Sequence, residues 1–258
     1  MRRFDAVEYA VIPGFRPLEL DLYLPDAVPA PGAAEVPVIV HVHGGGWRRG
    51  SRRHPLPRLG EDFYPAMVRA GFAVAAIDYR LSGEATYPAA ADDVRTAVAA
   101  VAEVLALHDV GAGPVFLWGD SAGAHLALLA ALTGSAVAGV VAWFPVTDLP
   151  AMPDPVDPQT REALFLGAPA AEVPDLAREA SPISHVRADA PPVLVMHGDS
   201  DTMVPAAQSV SFAAALTEAG GSARLVLVPG ASHFWEGAED VTALHQRSLA
   251  FLRTLLTP

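Results

Sequence analysis

Short apolar runs recur along the chain, and segments long enough for helices separate most of them. The first two runs, 5–12 and 18–24, alternate apolar and polar residues, as half-buried antiparallel strands do. The later runs are continuous and rich in β-branched residues, which is typical of strands covered on both faces. These later strands are expected at 37–44, 72–79, 114–118, 137–144, 192–197 and 223–228.

The segments between the later runs predict five helices. In the second of them, apolar residues such as Ala90, Val94 and Val98 recur at helical spacing. Because strands alternate with helices, the pattern predicts an α/β fold with a mostly parallel central sheet, antiparallel edge strands at its N-terminal end and helices on both faces. The five helical segments are 60–70, 89–108, 122–133, 205–219 and 238–256.

One segment, 146–190, departs from this alternation. It is rich in Pro and Asp and has no clean hydrophobic period. Such a stretch inside a compact domain predicts an excursion from the sheet, or a short lid, after the sixth strand. No repeat or low-complexity linker divides the chain, so residues 1–258 are expected to form a single domain.

Composition narrows the classes of function. Hydrophobic residues make up 52% of the chain, enough for a substantial core, and the net charge of −12 argues against nucleic-acid binding. The absence of Cys excludes a thiolate metal site and a Cys nucleophile. The apolar stretch 125–146 is interrupted by Thr-Gly-Ser at 133–135, so a buried helix and strand are expected instead of a membrane span. The first 14 residues lack the apolar run of a signal peptide, which predicts a cytoplasmic protein.

The first candidate catalytic motif is G-D-S-A-G at 119–123. It lies between the predicted strand V-F-L-W and an apolar helix, the position of a nucleophile elbow, in which a tight turn presents the serine above the sheet. Ser121 is therefore the candidate nucleophile. The alternative is an ordinary serine N-cap after a tight turn.

The second motif is H-G-G-G-W at 43–47, directly after a buried strand. Backbone N–H groups without a nearby Cβ can approach a substrate closely, and acyl transfer needs such donors for its oxyanion. We expect Gly45, Gly46 and Ala122 to form the oxyanion hole, and His43 to hold the loop. A plain flexible glycine turn is the alternative.

The general base and its acid are expected on the loops after the last two strands. In H-G-D-S-D at 197–201, two carboxylates compete: Asp201 lies just before the next predicted helix and is preferred, whereas Asp199 is expected to cap the turn. His233 completes the chain order Ser, Asp, His. It would take the proton of Ser121 while Asp201 orients its ring.

With D-Y-R-L at 78–81 and Y-P-A-A-A-D-D-V at 87–94 also present, the chain resembles the α/β-hydrolase carboxylesterases over nearly its whole length. The motifs H-G-G-G and G-D-S-A-G are similar to those of hormone-sensitive-lipase-like esterases. The segments A-S-P-I-S-H-V and H-G-D-S-D-T-M-V-P resemble a smaller branch, close to feruloyl esterases, arylformamidases and the prolyl-oligopeptidase catalytic domain. The resemblance supports Asp201 as the acid. Ala124, where the lipase-like family usually has glycine, favours the smaller branch.

The motifs and the resemblance together imply hydrolysis of small to medium acyl or aryl esters through an acyl-enzyme. No metal or organic cofactor is expected, because nucleophile, base and oxyanion donors are all protein groups. The expected partner is a small-molecule ester, and a homodimer is left open. The alternatives are an amidase, arylformamidase or peptidase with the same triad, an enzyme that deacetylates a sugar or antibiotic, or a non-catalytic ligand-binding homologue. The presence of all three triad residues argues against the last.

Two further groups of residues border these motifs. The aromatic residues Trp47, Phe234 and Trp235 are expected to line an apolar pocket, with ordinary packing of loop bases as the alternative. A basic run follows the glycine loop and is unusual in so acidic a chain; it predicts a solvated loop, with attraction of an anionic substrate as the alternative. Its members are Arg48, Arg49, Arg52, Arg53 and Arg58.

Overall fold

The computed structural model describes residues 1–26, 35–53 and 58–256, and the eight strands within these ranges form one sheet. Their order across the sheet is β1-β2-β4-β3-β5-β6-β7-β8. β1 pairs antiparallel with β2, and β2 with β4, whereas every later pairing is parallel. This confirms the predicted α/β fold with an antiparallel edge. The strands are β1 (Arg2–Ala10), β2 (Leu18–Leu24), β3 (Val36–Val42), β4 (Ala73–Ile77), β5 (Ala112–Asp120), β6 (Gly139–Trp143), β7 (Val193–Gly198) and β8 (Ala223–Val228).

The five predicted helices are all present, with ends that differ from the prediction by at most three residues. They are α1 (Phe63–Arg69), α2 (Ala89–Ala106), α3 (Ala122–Leu132), α6 (Ala207–Glu218) and α7 (Val241–Thr254). Two short helices, α4 (Arg161–Leu166) and α5 (Pro174–Glu179), lie between β6 and β7. Single 3-10 turns occupy Gly60–Asp62, Pro182–His185 and His233–Trp235.

The central strands are buried on both faces, as their continuous apolar runs predict. In β3, Val38 and Val40 belong to one hydrophobic cluster, whereas Ile39 belongs to the cluster on the opposite face. Every residue of α3 is buried, so the apolar stretch that begins at 125 is indeed a buried helix followed by the buried strand β6. Within the described ranges, no helix is long and apolar enough to cross a membrane.

The excursion between β6 and β7 is tied to α6 at its start, and a hydrogen bond within the excursion supports it. The Gln208 side chain of α6 accepts hydrogen bonds from the N–H groups of Thr147 and Asp148, at 2.8 and 2.7 Å. The N–H group of Leu149 donates to the Ser181 hydroxyl at 2.9 Å. The segment is therefore packed on the sheet domain, and its movement as a lid stays a prediction.

Candidate active site

Ser121 occupies a strained turn between β5 and α3. Its φ and ψ are 53° and −120°, a region that residues with a Cβ rarely adopt, and strain of this kind clusters at functional sites. The N–H group of Ser121 donates to the Trp143 carbonyl at 2.8 Å, which helps to hold the turn. The serine side chain makes no N-cap hydrogen bond to α3, so the turn does not use Ser121 as an ordinary cap.

Two glycines make this turn possible. A Cβ on Gly119 would lie 2.4 Å from the Gly123 carbonyl carbon, and a Cβ on Gly123 would lie 2.0 Å from the Val42 carbonyl oxygen. Both distances are far below van der Waals contact. The G-x-S-x-G pattern is thus a steric requirement for bringing β5, α3 and β3 together around the serine.

The structure brings Ser121, His233 and Asp201 into one hydrogen-bonded chain. The Ser121 Oγ lies 3.1 Å from His233 Nε2, and His233 Nδ1 lies 2.6 Å from Asp201 Oδ2. All three residues are buried, with 7%, 3% and 8% of their surface exposed. A serine with an imidazole on one side, and a carboxylate behind that imidazole, is the arrangement that nucleophilic acyl transfer uses.

The Asp201 carboxylate is fixed by several donors. Its Oδ1 accepts the N–H groups of Met203 and Val204 at 2.8 and 3.0 Å, which leaves Oδ2 to face His233. Burial alone would raise the pKa of the Asp201 carboxyl, but the contacts with His197, His233 and the Val204 N–H hold that pKa well below its usual range. Asp201 is therefore ionised at neutral pH and suited to stabilise an imidazolium.

Asp199 caps the turn after β7, as the sequence predicts. Its Oδ1 accepts the Gly230 N–H at 2.8 Å and the Ser200 hydroxyl at 3.0 Å. The bond from Gly230 ties the loop after β7 to the loop after β8, which carries His233. Asp199 thus supports the position of the histidine without contacting it.

The glycine loop lies beside the elbow in a conformation that favours glycine. Gly45 and Gly46 have φ values of +123° and +61°, and a Cβ on Gly45 would lie 2.0 Å from the Arg49 carbonyl oxygen. Among the described residues, the N–H groups of Gly45, Gly46 and Ala122 donate no hydrogen bond. They remain free for a ligand, and their role as an oxyanion hole stays a prediction.

His43 braces this loop from behind. Its Nδ1 lies 2.7 Å from the Gly44 carbonyl, and its ring stacks on Tyr79 at 4.3 Å. The Tyr79 hydroxyl also donates to the His43 carbonyl at 2.9 Å. Burial lowers the pKa of His43. A buried neutral ring with these contacts acts in holding the loop.

Comparison with known proteins places this geometry in a family. The BD-FAE family matches residues 20–216, which spans β2 to α6 and contains Ser121 and Asp201. The chain belongs to the BD-FAE family. His233 follows the matched range, on the loop after β8.

Curated relatives of this BD-FAE chain are named as esterases. Esterase LipQ of Mycobacterium tuberculosis (strain ATCC 25618 / H37Rv) is 36% identical over 250 residues, which cover 89% of this chain and 57% of LipQ. A probable isoprenylcysteine alpha-carbonyl methylesterase ICME of Oryza sativa subsp. japonica is 27% identical over 247 residues, with 87% and 57% covered. The chain thus spans about half the length of these curated relatives.

Solved esterase structures share the fold. A truncated form of a carbohydrate esterase from gut microbiota superposes with a TM-score of 0.86 at 27% identity, covering 99% of this chain and 96% of that one. Butyrate-bound esterase 2 of the Planctomycetes species Thermogutta terrifontis superposes with a TM-score of 0.74 at 25% identity, covering 98% and 92%. These likenesses place the BD-FAE chain in the α/β-hydrolase fold.

Trp47, at the end of the glycine loop of the BD-FAE chain, is buried, with only 1% of its surface exposed. Its Nε1 donates to His125 Nδ1 at 3.1 Å, and its ring stacks on Phe165 of the excursion at 4.7 Å. His125 Nε2 in turn donates to the Ala180 carbonyl at 2.7 Å, and burial lowers the pKa of His125 to about 4. Sequence reasoning missed His125; its signal was a lone polar residue four positions after Ser121 in an otherwise apolar helix.

The two aromatics after His233 have different environments. Trp235 is fully buried and packs on Trp143 and Phe144 at 5.3 and 5.0 Å, so it supports the loop from below. Phe234 is half-buried, and its ring lies 4.4 Å from that of His233. Phe144, which sequence reasoning did not single out, lies 4.6 Å from the same ring. The pocket role predicted for Trp47, Phe234 and Trp235 stays a prediction.

The basic run does not behave as one solvated loop. Arg52 is 6% exposed and pairs with Glu19 at 2.8 Å, with Asp21 at 2.7 Å and with Asp78. The prediction of a solvated loop is wrong for Arg52, because three carboxylates from β2 and the end of β4 compensate its buried charge. In the same run, Arg53 approaches Asp21, Arg58 donates to the Trp235 carbonyl, and Arg48 and Arg49 are exposed.

Proposed function

We propose that this chain is a serine carboxylesterase that hydrolyses small to medium acyl or aryl esters through an acyl-enzyme. The observation that carries the proposal is the chain of contacts from Ser121 Oγ to His233 Nε2, and from His233 Nδ1 to Asp201 Oδ2. Membership of the BD-FAE family and similarity to relatives named as esterases support it.

The proposed reaction begins at Ser121. Its Oγ attacks the ester carbonyl carbon while His233 Nε2 takes the hydroxyl proton, and Asp201 stabilises the resulting imidazolium. The carbonyl oxygen becomes an oxyanion, which the N–H groups of Gly45, Gly46 and Ala122 stabilise. Since Ala122 begins α3, the helix dipole also favours the negative charge there.

His233 then returns the proton to the leaving alcohol, and the acyl group stays on Ser121. A water molecule, deprotonated by His233 Nε2, then attacks the acyl carbon and forms a second tetrahedral intermediate. As this intermediate releases the carboxylic acid, His233 returns the proton to Ser121 Oγ and so restores the serine. Every proton moves between Ser121, His233, the substrate and water. The proposed chemistry therefore uses only groups of the chain, the ester and one water molecule.

Covalent labelling tests the nucleophile. A fluorophosphonate should add one phosphonyl group to the native protein, and mass spectrometry of the digest should find it on Ser121. The variant Ser121→Ala should lose both labelling and ester turnover, whereas Ser200→Ala, which changes an exposed serine near the site, should keep both. If the native protein takes no label on Ser121, the proposal that it is a serine esterase is wrong.

A substrate panel separates an esterase from an amidase or arylformamidase. 4-Nitrophenyl esters of increasing acyl length, acetylated sugars, and formyl and acetyl anilides should be compared at equal enzyme concentration. The proposal expects faster turnover of short esters than of any anilide. Fast anilide cleavage with flat rates across the esters would instead support the amidase alternative.

A cytoplasmic location, a single domain over residues 1–258 and a mobile excursion at 146–190 stay predictions, and so does the open question of a homodimer. Fractionation of the native cells tests the location. Light scattering after size exclusion gives the oligomeric state. Hydrogen exchange along 146–190, compared with that of the sheet, tests whether the excursion opens as a lid.

A further inference from the structure

Asp120, the residue before the candidate nucleophile, has a buried carboxylate that the proposed mechanism does not use. It is the last residue of β5, and only 5% of its surface is exposed. Its Oδ2 accepts the N–H group of Gly44 at 3.1 Å. Burying a carboxylate costs free energy unless hydrogen bonds compensate it, so this buried carboxylate beside the candidate nucleophile points to a role in the site.

The second oxygen of Asp120 faces another buried side chain. Its Oδ1 lies 3.4 Å from Nε2 of His41, a residue of β3 that is 1% exposed. His41 Nδ1 lies 3.1 Å from the hydroxyl of Tyr64 in α1, and that hydroxyl donates to the Arg52 carbonyl at 3.1 Å. His41 of β3 thus packs beside the carboxylate without a hydrogen bond to it, and Tyr64 of α1 fixes the position of the His41 ring.

The contact between Asp120 and Gly44 leaves no room for a side chain at position 44. A Cβ on Gly44 would lie 2.4 Å from Asp120 Oδ2 and 2.8 Å from the Asp120 carbonyl oxygen. The first glycine of the loop is therefore packed directly against the residue that precedes Ser121. The proposed oxyanion donors, Gly45 and Gly46, follow one and two residues later.

We propose that Asp120 is a positioning residue, which sets the glycine loop at a fixed distance from Ser121 so that the loop N–H groups meet the developing oxyanion. This inference rests on the proposed esterase function. Oxyanion donors act only within a narrow distance range, and a displacement of about 1 Å can cost on the order of 100-fold in rate. A single carboxylate that bridges loop and elbow removes one source of such displacement.

The variants Asp120→Ala and Asp120→Asn separate this role from a general loss of packing. In Asp120→Ala the Gly44 N–H loses its acceptor, and we expect kcat for 4-nitrophenyl acetate to fall about 10- to 100-fold, with KM changed less than about threefold. In Asp120→Asn the amide oxygen can still accept that N–H. This variant should recover most of the lost kcat.

A transition-state analogue provides the readout that a merely structural role would not change. A short-chain trifluoromethyl ketone adds to the serine hydroxyl and forms a hemiketal oxyanion, so its Ki reports the oxyanion hole. The Ki should rise in Asp120→Ala by about the same factor as kcat falls, and should return toward the native value in Asp120→Asn.

Asp93 provides a matched control. It is another buried carboxylate that accepts a main-chain N–H group, that of Arg80 at 2.8 Å, and it lies in α2 outside the site. Asp93→Ala should lower the melting temperature but leave kcat and the Ki of the ketone within about twofold. Assays are run below the melting temperature of each variant.

The outcomes separate the two claims. A native protein that neither hydrolyses esters nor takes the phosphonate on Ser121 defeats the proposed function itself. An active native protein whose Asp120→Ala variant keeps kcat and Ki defeats only the positioning role. Equal losses of kcat in Asp120→Ala and Asp93→Ala would also overturn it, since they would reflect packing alone.

Discussion

At the scale of single residues, the two carboxylates after β7 show how neighbouring side chains of one type take different parts. Asp201 is buried and faces His233, whereas Asp199 is exposed and caps the neighbouring loop. The difference arises because the N–H groups of Met203 and Val204 occupy only one oxygen of Asp201. The other oxygen is turned toward the imidazole.

The matched pair Asp201→Asn and Asp199→Asn tests this assignment. Asp201→Asn should lower kcat by about 10³- to 10⁴-fold, because an amide neither selects the required tautomer of His233 nor stabilises its cation. Asp199→Asn keeps an oxygen acceptor and should lose less than about tenfold. Steady-state rates on 4-nitrophenyl butyrate measure both, and a larger loss in Asp199→Asn would reverse the assignment.

At the scale of elements, α3 also connects the glycine loop to the excursion between β6 and β7. His125, on this helix, accepts a hydrogen bond from Trp47 in the glycine loop and donates one to Ala180 in the excursion. Phe165 of α4 stacks on the same tryptophan. The glycine loop is thus clamped between α3 and the excursion, so changes in the excursion can reach the candidate site through it.

The substitution His125→Phe should show the strength of this clamp. It keeps an aromatic ring but leaves the Trp47 N–H and the Ala180 carbonyl without partners, at a cost of about 2–4 kcal/mol in the free energy of unfolding. The matched change His185→Phe, in an exposed contact with the Glu179 carbonyl, should cost less than about 1 kcal/mol. Urea denaturation measures both; equal costs would show that the His125 contacts contribute little.

At the scale of the whole molecule, an ion cluster joins the antiparallel edge to the core of the parallel sheet. Arg52 follows the glycine loop and pairs with Glu19 and Asp21 of β2, and with Asp78 just after β4. In a chain with a net charge of −12, it neutralises carboxylates that lie close together. The cluster fixes the edge strands relative to the loop that carries the proposed oxyanion donors.

Removal of this cation should destabilise the fold strongly. Arg52→Ala leaves buried carboxylates uncompensated, and we expect a loss of about 3–5 kcal/mol in unfolding free energy. Arg48→Ala, which removes an exposed arginine of the same run, should change that free energy by less than about 0.5 kcal/mol. Thermal and urea unfolding of the two variants compare the costs; similar values would show that the cluster is not stabilising.

The unfolding free energy should also vary with pH because of two buried histidines, His125 and His245. Burial lowers the pKa of His125 and of His245 to about 4, against about 6.5 in an unfolded chain. As the pH falls below 6.5, the unfolded chain binds a proton on each histidine before the folded chain does. The unfolding free energy is therefore highest above pH 6.5 and falls by on the order of 3 kcal/mol for each histidine as the pH approaches 4. Urea unfolding between pH 7 and pH 4.5 should show this decline, with a smaller slope in His245→Phe. An unchanged slope would contradict it.

Much of the fold and of the candidate site could be predicted from local patterns. Periodicity located all eight strands and five helices, because each pattern depends on which faces of its own element are buried. The sequence also predicted that the four motifs meet in space, because each follows its own strand and the carboxyl ends of parallel strands lie at one edge of the sheet. The positions of Ser121, His233 and Asp201 follow from that rule.

Only the tertiary structure decided which residues far apart in sequence contact each other. The insertion of β4 between β2 and β3, the burial of Trp47 and Arg52, and the contact of Asp120 with Gly44 leave no periodic trace. The physical reason is that such contacts depend on how finished elements pack and on which charges meet there. The sequence by itself determined which chemistry is available, and the packing decided which side chains lie close enough to carry it out.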